Sequence, residues 1–157
     1  MQKRITPHQM REEASSEPQW LNLERLADVE VTSEDQAHPI ESALLPGHGD
    51  GWRAATVGDQ TIRLLFNSPQ QLRKIRLDFM ETDIQRTQEY VLRWSSDHGR
   101  SFREIVRQQW NFSPPDSTKE REDHCVDLQG VTILELKIRP EMSGRPVCAS
   151  VAQMRLA

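Results

Sequence analysis

Cysteine is scarce in this sequence, with two residues in 157, and the two are too far apart for a Cys-x-x-Cys motif. Two cysteines are too few for the disulfide framework of a small secreted scaffold, and a chain of this length can bury a core without one. We therefore expect Cys125 and Cys148 to be small buried thiols. One disulfide between neighbouring strands is the alternative.

Long hydrophobic runs are absent as well. No stretch comes near the ~18 apolar residues that a membrane-spanning helix needs. Lys3 and Arg4 are followed by polar residues rather than by the apolar core of a signal peptide. The net charge is -4, and the basic residues are dispersed along the chain. These features predict a cytoplasmic protein with no nucleic-acid partner and no membrane partner.

The short motifs of common active sites are also missing. The sequence contains no G-x-S-x-G nucleophile turn, no phosphate-binding loop, no G-x-G-x-x-G and no H-E-x-x-H. His124 and Cys125 are adjacent, but neighbouring residues of a strand point to opposite faces, so this imidazole is badly placed to activate the thiol. We therefore predict that the protein is not an enzyme and needs no cofactor.

The sequence does contain a repeated two-residue alternation of apolar and polar side chains. In the segment 73–79, Ile75, Leu77 and Phe79 share one face, and the opposite face is charged. This alternation is typical of a β-strand with one buried and one solvated side. The clearest strands are predicted at 61–66, 73–79, 90–94 and 134–139, and weaker ones at 28–32, 102–110, 125–128 and 147–156.

Turn-forming residues separate these segments. Residues 67–69 (Asn-Ser-Pro) are predicted to separate the first two strands, and residues 96–99 (Ser-Asp-His-Gly) to form a turn with a positive-φ glycine. Further loops are expected at 114–116 and 142–146. Many short strands with turns between them, and no sustained helical stripe, predict an all-β fold: an antiparallel sandwich of two sheets.

The beginning of the chain is polar, and its apolar content starts at Trp20. We therefore divide the sequence into a short polar N-terminal arm, 1–25, disordered or a short helix, and a sandwich domain, 26–157. Trp20 is predicted to pack on the domain as a plug. An arm that contacts a partner is the alternative.

The order of the segments resembles the discoidin or coagulation-factor type C family, which has a jelly-roll sandwich of the galactose-binding-like fold. Residues 90–102, YVLRWSSDHGRSF, resemble the family's tyrosine strand, its S-x-D-G turn and the following aromatic residue. His98 is inserted between the aspartate and the glycine of that turn, and the family's pair of cysteines bridging the domain ends is absent. These departures suggest an intracellular or bacterial relative. The resemblance covers about 26–157, with further similar segments at 29–34, 38–44, 49–54, 61–66, 72–77, 134–140 and 149–156.

The resemblance implies a ligand site on loops at one end of the sandwich, here 36–51, 80–88 and 111–123. Sugar recognition needs a flat apolar face and planar polar groups that pair with hydroxyls. Solvated loop residues are the alternative for the first loop. A surface ion pair with Glu81 or Glu89 is the alternative for Arg86, and packing in the core is the alternative for Trp110 and Phe112. The candidate ligand-binding residues are His38, His48, Asp50, Arg86, Trp110 and Phe112.

Two functions are consistent with these features. The first is a non-catalytic carbohydrate-binding module that uses the loops at one end. The alternative is an intracellular protein–protein interaction subunit that uses a sheet face or the arm. His38, His48 and Asp50 combine imidazole and carboxylate groups, so a metal site on the first loop stays open. By the resemblance, Asp50 could instead support a structural calcium ion.

Overall fold

The computed structural model describes residues 17–157, which contain eight strands and two one-turn helices joined by loops. In that range, no helix has the length and hydrophobicity to cross a bilayer. In chain order the elements are α1 (Leu23–Leu26), β1 (Ala27–Val31), α2 (Glu41–Leu44), β2 (Trp52–Val57), β3 (Gln60–Met80), β4 (Arg86–Ser95), β5 (Arg103–Phe112), β6 (Lys119–Arg139), β7 (Cys148–Val151) and β8 (Gln153–Leu156).

Two long bent strands, β3 and β6, connect the two layers of the sandwich. Each has 21 residues, and they pair antiparallel along most of their length. Because the two strands are antiparallel, the early half of β3 pairs with the late half of β6, and the reverse. The register of this pairing shifts between Leu65 and Lys74. Such irregularities bend a strand and let it continue into a second layer.

The first layer has the order β1, β3, β6, β4, β5, and β8 pairs with the late half of β3 in the second layer. A separate two-stranded sheet joins β2 and β7. The layers face each other at Phe79 of β3 and Tyr90 of β4, whose ring centroids lie 5.3 Å apart. The hydroxyl of Tyr90 also lies 2.7 Å from Nε2 of His124 on β6. The predicted all-β antiparallel sandwich is confirmed.

The predicted alternation accounts for the core. Ile62, Leu64 and Phe66 are buried along early β3, and Leu77 and Phe79 are buried along late β3. Their removal from water supplies the main favourable contribution to folding, about 1.5–3 kcal/mol for each fully buried large apolar side chain. The charged residues between them lie on the two outer faces of the sandwich.

Three local predictions need correction. Residues 67–69 do not end a strand, because β3 continues through them. These turn-forming residues lie where the register between β3 and β6 shifts. The predicted loop 111–123 is only 113–118, since β6 already begins at Lys119. Cys125 is exposed on β6 and is not bonded to Cys148, which is half-buried, so the prediction of two buried thiols is wrong for Cys125.

The predicted turn at 96–99 is present, with positive φ at His98 (59°) and Gly99 (91°). Asp97 organises it by accepting hydrogen bonds from the hydroxyls of Ser101 and Ser95 at 2.6 and 2.7 Å. These bonds hold the pKa of Asp97 well below its usual range. The extra histidine is therefore accommodated in the left-handed region without loss of the turn.

The described part of the predicted arm, 17–25, lies against the sandwich. Two cations lie over the ring of Trp20: the guanidinium carbon of Arg76 is 5.1 Å from the ring centroid, and the ammonium nitrogen of Lys74 is 5.9 Å from it. The backbone N–H of Leu21 donates to the carbonyl of Leu156 at 2.7 Å. These contacts agree with Trp20 as a packed plug. The rest of the predicted arm, 1–16, lies outside the described residues.

Candidate functional site

Four connecting segments meet at one end of the sandwich: 32–51, 81–85, 113–118 and 140–147. A backbone hydrogen bond joins two of them, from Glu81 N to Thr118 O at 2.8 Å, and Met142 N donates to Thr87 O at the start of β4 at 2.9 Å. We call this end the rim. It contains the three loops that the sequence predicted to lie together, and it adds the connection between β6 and β7.

The longest of these segments curls over helix α2 to form one wall of the rim. The hydroxyl of Ser42 donates to the carbonyl of His48 at 2.7 Å and closes the curl. Gly51 ends it with φ +114°, and a Cβ there would lie 2.5 Å from the carbonyl oxygen of Val151. Only glycine combines that backbone conformation with so close an approach to β7. The next residue, Trp52, is buried and donates its indole N–H to Ser33 O at 3.0 Å.

Gly51→Ala tests whether this close approach fixes the rim. We expect a loss of about 2–4 kcal/mol in the free energy of unfolding, because the methyl group adds a backbone clash to the strain of positive φ. Gly47→Ala is the matched control, since Gly47 also has positive φ (+76°) but nothing within 4 Å of the added Cβ. In urea unfolding, Gly51→Ala should therefore lose more free energy of unfolding than Gly47→Ala. Equal losses in the two variants would contradict the clash at Gly51.

A cleft of about 530 Å³ lies between this loop and the outer face of the second layer. We call it the rim cleft. Leu45, Pro46 and Asp50 form the loop wall, and the opposite wall comes from strands β3, β6 and β8. Met80, at the end of β3, is 46% exposed and adds an apolar surface to this wall. The side chains on the strand wall are Asp78, Met80, Lys119, Arg121, Gln153 and Arg155.

A continuous polar network crosses that strand wall. Arg121 donates to both carboxylate oxygens of Asp78, at 2.7 and 3.0 Å. This contact raises the pKa of Arg121 and fixes its guanidinium plane. With its amide oriented to suit both neighbours, Gln153 donates to Asp78 at 2.9 Å and accepts from Arg155 at 3.0 Å. The wall thus presents planar donors and acceptors in fixed positions.

Arg155 anchors the loop side to the strand side. It is buried, and its Nη1 donates to the carbonyl of Ala43 in α2 at 2.7 Å. Burial lowers the pKa of this guanidinium, although an arginine remains charged at physiological pH. The distance between the two walls is therefore set by a direct bond from β8 to α2.

A smaller hollow of about 250 Å³ adjoins the cleft and shares Asp50, Met80 and Ala152 with it. His38 lines this hollow, and its Nδ1 lies 2.8 Å from Oδ2 of Asp35. Among residues 17–157, no group of three or more His, Cys, Asp or Glu side chains is placed to hold a metal ion. The metal and calcium possibilities for this loop stay open predictions.

No protein-family model and no curated protein matches this chain. Solved structures do match it. The Clostridium perfringens module CpGH89CBM32-5, in complex with GalNAc-β-1,3-galactose, has a TM-score of 0.64 at 18% identity and covers 88% of this chain and 99% of its own. A pectin binding carbohydrate binding module has a TM-score of 0.59 at 15% identity, covering 84% and 90%. The family 32 module of C. perfringens NanJ, in complex with galactose, has 0.56 at 14%, covering 83% and 92%.

This chain has the galactose-binding-like fold. The fold that the discoidin-like segments implied is thus confirmed over most of the chain. Identities this low establish the architecture and not the ligand, which in this fold must be argued from the residues of the site.

Three of the six predicted ligand residues lie at the rim of this galactose-binding-like domain. His38 and Asp50 line the smaller hollow, and Asp50 also lines the rim cleft. His48 is exposed on the loop, where its carbonyl accepts from Ser42. The structure thus places the loop that carries these residues at the rim, and their role in binding a ligand stays a prediction.

Arg86 and Phe112 need correction, because both side chains are buried inside the sandwich. Arg86 donates to Glu81 Oε1 at 2.7 Å, and its guanidinium lies 4.9 Å from the centroid of the Phe112 ring. Trp110 is half-buried, and its indole nitrogen is enclosed without a partner among the described residues. These three residues belong to the space between the layers and do not line the rim cleft.

Sequence reasoning missed the strand wall of the cleft. Asp78 looks like an ordinary solvated position of an alternating strand, and Lys119 and Arg121 fall within the predicted loop 111–123. The available signal was their position: each lies within three residues of a strand end at the rim. Outward-facing residues near the ends of neighbouring strands meet at one edge of the sheet.

Proposed function

We propose that this protein is a non-catalytic carbohydrate-binding module whose sugar site is the rim cleft. The observation that carries the proposal is the fixed network of Arg121, Asp78 and Gln153 beside the exposed thioether of Met80. Neighbouring hydroxyls of a sugar need paired donors and acceptors, and its C–H face needs an apolar surface. The similar modules solved with galactose and GalNAc-β-1,3-galactose support a carbohydrate partner.

The cleft is also suitable in size and rigidity. About 530 Å³ lies in the range of small-molecule sites, and Ser42, Gly51 and Arg155 fix the loop wall in place. Preformed walls lower the entropy cost of binding, which matters for weakly hydrophobic ligands such as sugars. The loop residues Asp50 and His38 would then contact the parts of a longer saccharide that extend beyond the cleft.

Arg121→Ala should weaken sugar binding by about tenfold or more, because it removes a charge-assisted hydrogen-bond donor and releases Asp78. A glycan array would first identify the ligand, with galactose and GalNAc-β-1,3-galactose included. Isothermal titration calorimetry would then measure the affinity of the wild type and the variant.

Arg107→Ala is the matched control. Arg107 is 54% exposed against 57% for Arg121, and it also has a carboxylate partner, but it lies on the outer face of the first layer. Its loss should leave sugar affinity unchanged. Equal affinity of both variants for the ligand would move the site away from the rim cleft. The cytoplasmic location and the lack of a cofactor stay predictions.

A further inference from the structure

A second, apolar groove lies between α1, β1 and α2. It has a volume of about 240 Å³. We call it the α1–β1–α2 groove. Leu23, Leu44 and Leu64 form its buried floor, and Val29 and Leu45 are half-buried at its sides. The groove shares only Leu45 with the rim cleft, so the two sites can be tested separately.

Three carboxylates surround this groove, one from each element. Glu24 belongs to α1, Asp28 to β1 and Glu41 to α2, and all three are exposed. The groove lining contains no lysine, arginine or histidine. Within residues 17–157, the carboxylates of Asp78, Glu89 and Glu104 each have an arginine partner, whereas none is found for the three groove carboxylates.

The size of the groove limits what fits into it. An engineered protein cavity of about 150 Å³ binds benzene, so about 240 Å³ accommodates one large aliphatic or aromatic side chain. Strand β1 is an edge strand of the first layer, so its outer backbone groups are open to an extended segment. A bound group therefore needs one apolar anchor with positive charges on more than one side.

We propose that the α1–β1–α2 groove docks a protein partner through a short basic segment that carries one large apolar side chain. The apolar side chain enters the groove, and flanking lysine or arginine residues pair with Glu24, Asp28 and Glu41. A small amphiphilic ligand with one ammonium group supplies only one of these positive charges. Nucleic acids and anionic membranes are repelled by the three groove carboxylates. A basic peptide is thus the ligand chemistry that satisfies both the apolar floor and its surroundings.

The direct test uses the full-length protein and a fluorescein-labelled peptide of sequence GKRLRKG, followed by fluorescence anisotropy at low and high salt. The same peptide with serine in place of leucine should bind about tenfold more weakly, because it loses the apolar anchor. Binding of the leucine peptide should also weaken as salt rises, because the carboxylates are exposed. Equal binding of the two peptides would overturn the proposal.

Charge reversal locates the site. Asp28→Lys/Glu41→Lys should weaken binding of the leucine peptide by about tenfold or more, because two attractive contacts become repulsive. Asp116→Lys/Asp127→Lys changes the net charge equally at exposed positions away from the groove and should alter affinity by less than about twofold. Equal losses in both double variants would reduce the effect to overall charge and overturn the docking site. Denaturant unfolding of both variants checks that they fold.

Discussion

Arg86→Ala is expected to lower the free energy of unfolding by about 3–5 kcal/mol, because it removes one partner of a buried ion pair. The Arg86 side chain has no exposed surface, and Glu81, its partner at 2.7 Å, keeps 10%. Arg86 also donates to the carbonyl of Pro140 at 2.9 Å and to Gln88 at 3.1 Å. Alanine would leave those acceptors, and one negative charge, without a partner in the interior.

The protonation of Glu81 supports this expectation. Burial alone would raise its pKa, but the hydrogen bond from Arg86 and one from the backbone N–H of Asp83 reverse that effect and lower it. Glu81 is therefore ionised at neutral pH. When Arg86 is lost, either this buried charge stays unpaired or Glu81 takes up a proton, and both cost free energy. Glu81→Gln/Arg86→Met removes both charges and should lose less stability than Arg86→Ala.

Urea unfolding followed by circular dichroism measures these differences, with Arg107→Ala as the surface control, expected within about 1 kcal/mol of wild type. Sugar affinity should be unchanged in whatever fraction of Arg86→Ala is folded. A variant with wild-type stability but no sugar binding would instead place Arg86 in a ligand site, as the sequence interpretation had it.

The fold could be predicted from the sequence because strand alternation directly reports which side chains are buried. Residues 61–66 and 73–79 were recognised as strands, and the residues assigned to their inner faces are buried. The continuity of β3 through 67–69 could not be predicted, since asparagine, serine and proline there have the chemistry of a turn. Whether a chain turns or bends at such residues depends on the pairing of a distant strand, here β6.

The site was only half predictable for a related reason. Asp50 lies on a loop whose composition indicates exposure, and it does line the cleft. Arg86 has a charge that usually indicates the surface, but Gln88 and Phe112 on the inner face enclose it. Charged residues are rarely buried without partners. The sequence offered Glu81 as a surface partner of Arg86, but it did not bring Gln88 and Pro140 to the same guanidinium, and so it did not indicate that the pair is buried.

Glu120 is the second buried charge whose behaviour the structure predicts. Its side chain faces the space between the layers and is 2% exposed, and Oε2 has no partner among the described residues. Burial is the main cause that raises its pKa to about 8, and the neighbouring Glu122 adds to the shift. Gln88 is its hydrogen-bonding neighbour, at 3.4 Å from Oε1.

A raised carboxyl pKa makes the folded protein less stable as pH rises. Between the ordinary pKa of 4.5 and about 8, folded Glu120 keeps a proton that the unfolded chain has lost. Stability therefore falls by up to about 1.4 kcal/mol per pH unit over that interval. The lowered pKa values of Glu81, Glu135 and Glu141 make stability depend on pH only below pH 4.5. Burial lowers the pKa of His124, and this shift makes stability rise with pH only below about pH 6.5. Among these shifted groups of residues 17–157, Glu120 is the one that acts between pH 6.5 and 8.

Glu120→Gln should abolish this loss and raise the free energy of unfolding at pH 8 by roughly 3–5 kcal/mol. Glutamine keeps the shape of the protonated acid, and its amide oxygen can still accept from Gln88, so little packing changes. Denaturant unfolding at pH 6.5, 7.25 and 8 is the measurement. Glu122→Gln is the companion variant: removing its charge should lower the pKa of Glu120 and make the decline shallower without abolishing it. A wild-type protein of constant stability across this interval would mean that Glu120 is already ionised in the folded state, and would contradict the prediction.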